Sequence, residues 1–171
     1  GFMKVMVDAE SRRLLGAEPD ATQLVAVVAH DSDLTRVAGE KKTVDSLSMA
    51  VLRGVELGFD QGFCSLADAL DTFADTRFNI DIKVAAAIAP TVAAIRKANA
   101  TSRVLVTSFS DKRRLAAVQQ LPGVATSASA RSFATALVAA RSGAARATAR
   151  ALRDVDAVQV PEHALGISVT T

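Results

Sequence analysis

Short runs of β-branched and apolar residues recur along this chain, separated by longer alanine-rich stretches of helical period, and that alternation admits few folds. Five runs read as strands: LVAVVAH (24–30), FNIDIK (78–83), RVLVTSF (103–109), VATSAS (124–129) and AVQVP (157–161). Each is too apolar or too β-branched for a surface loop, and strands that alternate with helices pair in parallel. The predicted class is α/β. Between the strands, Ser65 is a cap for a helix over 66–74, and a second helix covers 85–98, with Pro90 kinking it or marking its start. Ser110 reads as the cap of a helix over 111–120, with Asp111 at its positive end and Pro122–Gly123 as its stop. Residues 130–153 divide into two helices at Ser142 and Gly143. Arg146, Arg150 and Arg153 recur there at helical spacing, either as a solvated basic face or as an anion contact.

A length of 171 residues suits one domain, and a composition half hydrophobic with 22% charged residues excludes disorder as the main state. Twenty basic against eighteen acidic residues leave +2, which makes no electrostatic case for a nucleic-acid partner. No apolar run approaches the ~18 residues of a membrane span. The opening GFMKVMVDAESRR carries acids where a signal peptide needs an apolar run. Cys64, the single cysteine, cannot form an internal disulfide, and a cytoplasmic setting is the expectation. Within residues 1–17, KVMVD and RRLLGA flank the polar AESR and predict a hairpin, which reads as a segment of separate origin from the rest.

Two groups of residues carry the candidate chemistry. His30 and Asp31 stand where an apolar strand ends, and in parallel α/β folds ligands gather at the carboxyl ends of strands. A histidine there is either a packing residue or a catalyst. Asp81 and Lys83 alternate with Ile80 and Ile82, so carboxylate and ammonium are expected on the face opposite the isoleucines. Charges on an inward face are costly unless paired or matched to a ligand. The pair is therefore either an internal ion pair or a site in which Asp81 holds a hard cation and Lys83 meets an anionic oxygen. Asp8, closing KVMVD, is a further candidate acid or a turn residue.

The strings VVAHDSDLTRV, FCSLADALDTFADTRFNIDIK, RVLVTSFSDKRRL and VDAVQVPEHALGISVTT, in that order, resemble the glycerophosphodiester phosphodiesterase family over residues 24–171. The resemblance implies a TIM-type (β/α) barrel, here partial, and hydrolysis of a glycerophosphodiester to glycerol 3-phosphate and an alcohol, assisted by Ca²⁺ or Mg²⁺. It assigns His30 as general acid/base, Lys83 to the phosphate, and Asp81 as a metal ligand. It makes Asp8 a second ligand, with Met6 where the family carries Glu. The family's HRG strand and its closing C-terminal strands have no counterpart in this sequence, and a (β/α)₈ barrel typically needs ~250 residues. An incomplete barrel with bare edges predicts a homo-oligomer, impaired turnover and weak cation binding. The alternative is a non-catalytic remnant or chimeric fragment that serves as a structural or oligomerisation module. Residues 1–17 also weakly resemble the dimerisation domain of pyridine nucleotide-disulfide oxidoreductases, without that family's cysteine pair or glycine fingerprint.

Overall fold

The protein is seen here as a computed structural model that describes residues 2–9, 24–159, 163–164 and 167–168, with side chains over 24–159. Strands β1 (Phe2–Ala9), β3 (Arg77–Ile82), β4 (Val104–Thr107) and β5 (Ala125–Thr126) run parallel, and β2 (Ala26–Val28) joins the outer side of β1 antiparallel. The order is β2-β1-β3-β4-β5. Beyond β5 a parallel bridge joins Ser127 to Ala157, so the fifth predicted strand touches the sheet at Ala157, and residues 160–161 of that run lie outside the described residues. Strands β6 (His163–Ala164) and β7 (Ile167–Ser168) form a separate antiparallel pair.

The direction of β2 corrects the all-parallel expectation. Consecutive strands can pair antiparallel through a simple return, whereas a parallel pairing needs a crossover on one face. Strand β1 therefore belongs to the main sheet, with β2 and β3 as its described partners. The RRLLGA half of the expected hairpin lies outside the described residues.

Helices α3 (Leu66–Thr72), α4 (Ile88–Lys97) and α5 (Asp111–Val118) fall between the parallel strands as their periodicity predicts. Ser65 and Asp68 form a reciprocal capping box at the start of α3. Residues Ala85–Ala87 make a 3₁₀ turn before α4, which places Pro90 in the first turn, where its missing N–H costs no hydrogen bond. Ser110 precedes α5 without a side-chain cap bond; its own N–H donates to Ser108 Oγ at 3.3 Å. Helices α6 (Ala130–Arg141) and α7 (Ala145–Ala151) are separated at Ser142–Gly143, with Gly143 at φ 72°. Arg146, Arg150 and Arg153 are exposed. Among the described residues no helix is long and apolar enough to cross a membrane.

Phe78, Ile80 and Ile82 are fully buried on one face of β3, packed with Leu66, Leu70, Val92 and Ile95 of the covering helices. Strand β2 is buried on both faces. Ala26 joins this main core, while Val27 joins a second, smaller cluster with Leu34, Val44, Leu52 and Phe63. That second cluster organises residues 30–63, which contain the short helices α1 (Thr35–Ala38) and α2 (Met49–Arg53). The opposite face carries Asn79 and Asp81 on β3 and Leu105 and Thr107 on β4, so its polar residues alternate with the apolar set.

Candidate active site

Alternation along β3 fixes where its charges stand. With Phe78, Ile80 and Ile82 committed to the helical side, Asp81 is held on the other face, 4% exposed and level with Thr107 of β4. Lys83 follows the last strand residue and is half-buried. Its ammonium donates a hydrogen bond to the main-chain carbonyl of His30. Lys83 and His30 are thus brought together although β2 runs against β1, because Val28, the last residue of β2, is level through Val7 with Ile82, the last residue of β3.

His30 lines a cleft of about 450 Å³ whose other walls include Val37, Leu57, Phe63, Asp33 and Arg36. Its Nδ1 lies 2.6 Å from Asp31 Oδ1, and Arg36 Nε donates to Asp31 Oδ2, also at 2.6 Å. The hydrogen bond with His30, then that from Arg36, holds the Asp31 carboxyl below its ordinary range. Asp33 is likewise lowered, chiefly because it accepts the backbone N–H of Thr35 at 2.9 Å. Neither Asp81 nor Lys83 lines this cleft.

On the polar face of the sheet, Ser127 Oγ donates to Thr107 Oγ1 at 2.7 Å, and Gln159 Nε2 donates to Ser127 Oγ at 3.2 Å. Ser108 Oγ donates to the carbonyl of Ile82 at 2.7 Å and accepts from Arg113 Nε at 3.1 Å, which ties the exits of β3 and β4 together. These hydroxyls were not among the residues singled out by sequence. Their signal is the Thr-Ser dipeptide that recurs in both the 103–109 and the 124–129 runs.

Asp8 is level with Val27 of β2 and lies two residues beyond Met6, which is in register with Asp81. Two steps along a strand return to the same face, so Asp8 and Asp81 hold in-phase register positions on adjacent strands. Two carboxylates are hard oxygen donors of the kind a divalent cation takes, but fewer than the six to eight ligands of Ca²⁺. Among the described residues, no three of His, Cys, Asp and Glu are grouped closely enough to hold a metal ion.

No family model matches the sequence. The chain is 40% identical over 148 residues to a Mycobacterium tuberculosis protein named "Probable glycerophosphodiester phosphodiesterase 2", covering 86% of this chain and 56% of that protein. It thus spans about half the length of that curated relative. Among solved structures, it is similar to the glycerophosphoryl diester phosphodiesterase domain of an uncharacterized Mycobacterium tuberculosis protein, with a TM-score of 0.65, 16% identity and coverage of 83% of this chain and 54% of that one. It is also similar to a glycerophosphodiester phosphodiesterase from Agrobacterium tumefaciens, with a TM-score of 0.62, 16% identity and coverage of 88% and 70%. These likenesses establish the fold as part of the (β/α) barrel those proteins share.

Proposed function

From the relationship of this chain to the glycerophosphodiester phosphodiesterases, over about half the length of its curated relative, we propose that it carries part of a site for hydrolysing glycerophosphodiesters to glycerol 3-phosphate and an alcohol. The observation that carries this reading is the junction at the exit of β3, where Lys83 is bound to the backbone of His30 two residues after the buried Asp81.

A phosphodiester resists attack because its anionic oxygens repel the nucleophile, so a site must neutralise charge and move a proton. Lys83 supplies the first need: one of its three donors is engaged with His30, and among the described residues nothing else takes the other two, which are left for a phosphate oxygen. His30, whose main-chain carbonyl Lys83 holds, supplies the second as general acid/base. A bound Ca²⁺ or Mg²⁺ would add positive charge beside the same oxygens, and Asp81 and Asp8 are the residues that would hold it, with water completing the shell.

With this partial set, slow turnover and weak cation affinity are part of the proposal. So are a single domain over 1–171, supported by the place of β1 in the sheet, a cytoplasmic setting and a homo-oligomer that covers the sheet edges. Turnover of a chromogenic phosphodiester with and without Ca²⁺ or Mg²⁺ tests the proposal. Cation-stimulated release that disappears in His30→Ala and Asp81→Ala supports it. Release that survives both substitutions discards the site, and none under any condition favours the non-catalytic remnant.

A further inference from the structure

We propose that Asp31 and Arg36 are positioning residues that hold the His30 imidazole in one tautomer, with the proton on Nδ1 and the lone pair on Nε2. This rests on the reading of His30 as the general acid/base.

The arrangement is built from the backbone outward. Leu34, 1% exposed, is sunk in the small core cluster and fixes the turn after β2. Asp33 accepts the N–H of Thr35, the first residue of α1, and Arg36 in that first turn reaches back to Asp31. On the other side, Lys83 pins the carbonyl of His30. The backbone carrying the imidazole is thereby held from two directions.

The carboxylate contacts then decide the proton. Arg36 Nε and His30 Nδ1 take different oxygens of Asp31, each at 2.6 Å. An ionised carboxylate paired to a guanidinium can only accept, so the neutral ring must donate from Nδ1. In a histidine the nitrogen that carries the proton is set by the hydrogen bond the ring makes. Among the described residues Nε2 has no hydrogen-bond partner, so the basic nitrogen is the one available to a ligand.

The test is the ¹⁵N long-range correlation spectrum of the neutral histidines in the full chain. The sequence contains two, His30 and His163, so a His163→Ala variant assigns the signals. The proposal expects His30 to show protonated Nδ1 and bare Nε2, and the ratio to invert toward protonated Nε2 in Asp31→Ala. Arg36→Met should shift it part of the way, and Asp31→Glu should restore part of the native pattern. An unchanged thermal midpoint in Asp31→Ala shows that the shift is not loss of fold. Protonated Nε2 in the parent chain, or a ratio that Asp31→Ala leaves unmoved, overturns the proposal. If the chain turns over a phosphodiester, Asp31→Ala should lower kcat by about 10²- to 10⁴-fold with KM little changed. Absence of turnover in the parent chain counts against the hydrolase reading alone, because the tautomer is read without it.

Discussion

Replacing Arg103 with methionine should destabilise the protein by about 3 kcal/mol, because that side chain closes the carbonyl end of α3. Its guanidinium donates to the carbonyls of Leu70 at 2.8 Å, Thr76 at 3.0 Å and Phe73 at 3.1 Å, and lies over the Phe78 ring at 5.5 Å. The last carbonyls of a helix have no partner within it, and here they turn directly into β3, the strand that carries Asp81. Hydrogen bonds from a charged donor contribute about 1.5–3 kcal/mol each. The Phe73 bond is exposed, so water can replace it, and the two half-buried bonds at the low end of that range sum to about 3 kcal/mol. Methionine keeps an apolar stem over Phe78 and isolates the hydrogen-bonding loss. For a chain of this size about 1 kcal/mol corresponds to ~2–4 °C, so differential scanning calorimetry should record a midpoint lower by roughly 6–12 °C. Arg103→Lys, with a single donor centre, should fall between. A fall of less than about 2 °C in Arg103→Met would refute the role assigned to these bonds.

Three further outcomes follow from the same geometry. A Cβ at Gly62 would lie 2.3 Å from the main-chain oxygen of Arg53, so Gly62→Ala should cost at least ~2 kcal/mol, read as a lower urea midpoint at unchanged slope. Burial pushes the Asp111 carboxyl up, but bonds from Ser129 and Arg114, the charge of Arg114, and the bond from Ser132 outweigh it and leave the group below its ordinary value near 3.8. Its stabilising contribution is therefore complete above pH 3.8 and lost as the pH falls through the lower folded value, so acid unfolding should be less steep in Asp111→Asn. Binding of Ca²⁺ followed by calorimetry should be weak in the parent chain and lost in Asp81→Ala; equal heats in both would remove Asp81 from the cation's ligands.

Much of this architecture was legible in the pattern of residues. Phe78, Ile80 and Ile82 alternate with polar residues, and the strand buries them as that period requires. Ser65 announced the start of α3 as its cap. The direction of β2 was not legible, because AVV is apolar toward both cores and contains nothing that distinguishes a parallel from an antiparallel neighbour. The contact of Lys83 with His30 depends on which strand exits meet, a tertiary fact that spacing along the chain does not encode. Arg36 was hidden for the same reason: five residues from Asp31, it meets the carboxylate only because Leu34 buries the turn between them. Thr107 and Ser127 lay within runs expected to be strands, and their hydrogen bond between β4 and its neighbour depends on strand order, which those runs do not encode.

Following glycerophosphocholine with ³¹P NMR in the presence of Ca²⁺ or Mg²⁺ decides whether His30 and Asp81 form a working site. Glycerol 3-phosphate should appear slowly, depend on the cation and be absent from His30→Ala and from Asp81→Ala. Product formation at the parent rate in both variants would contradict it.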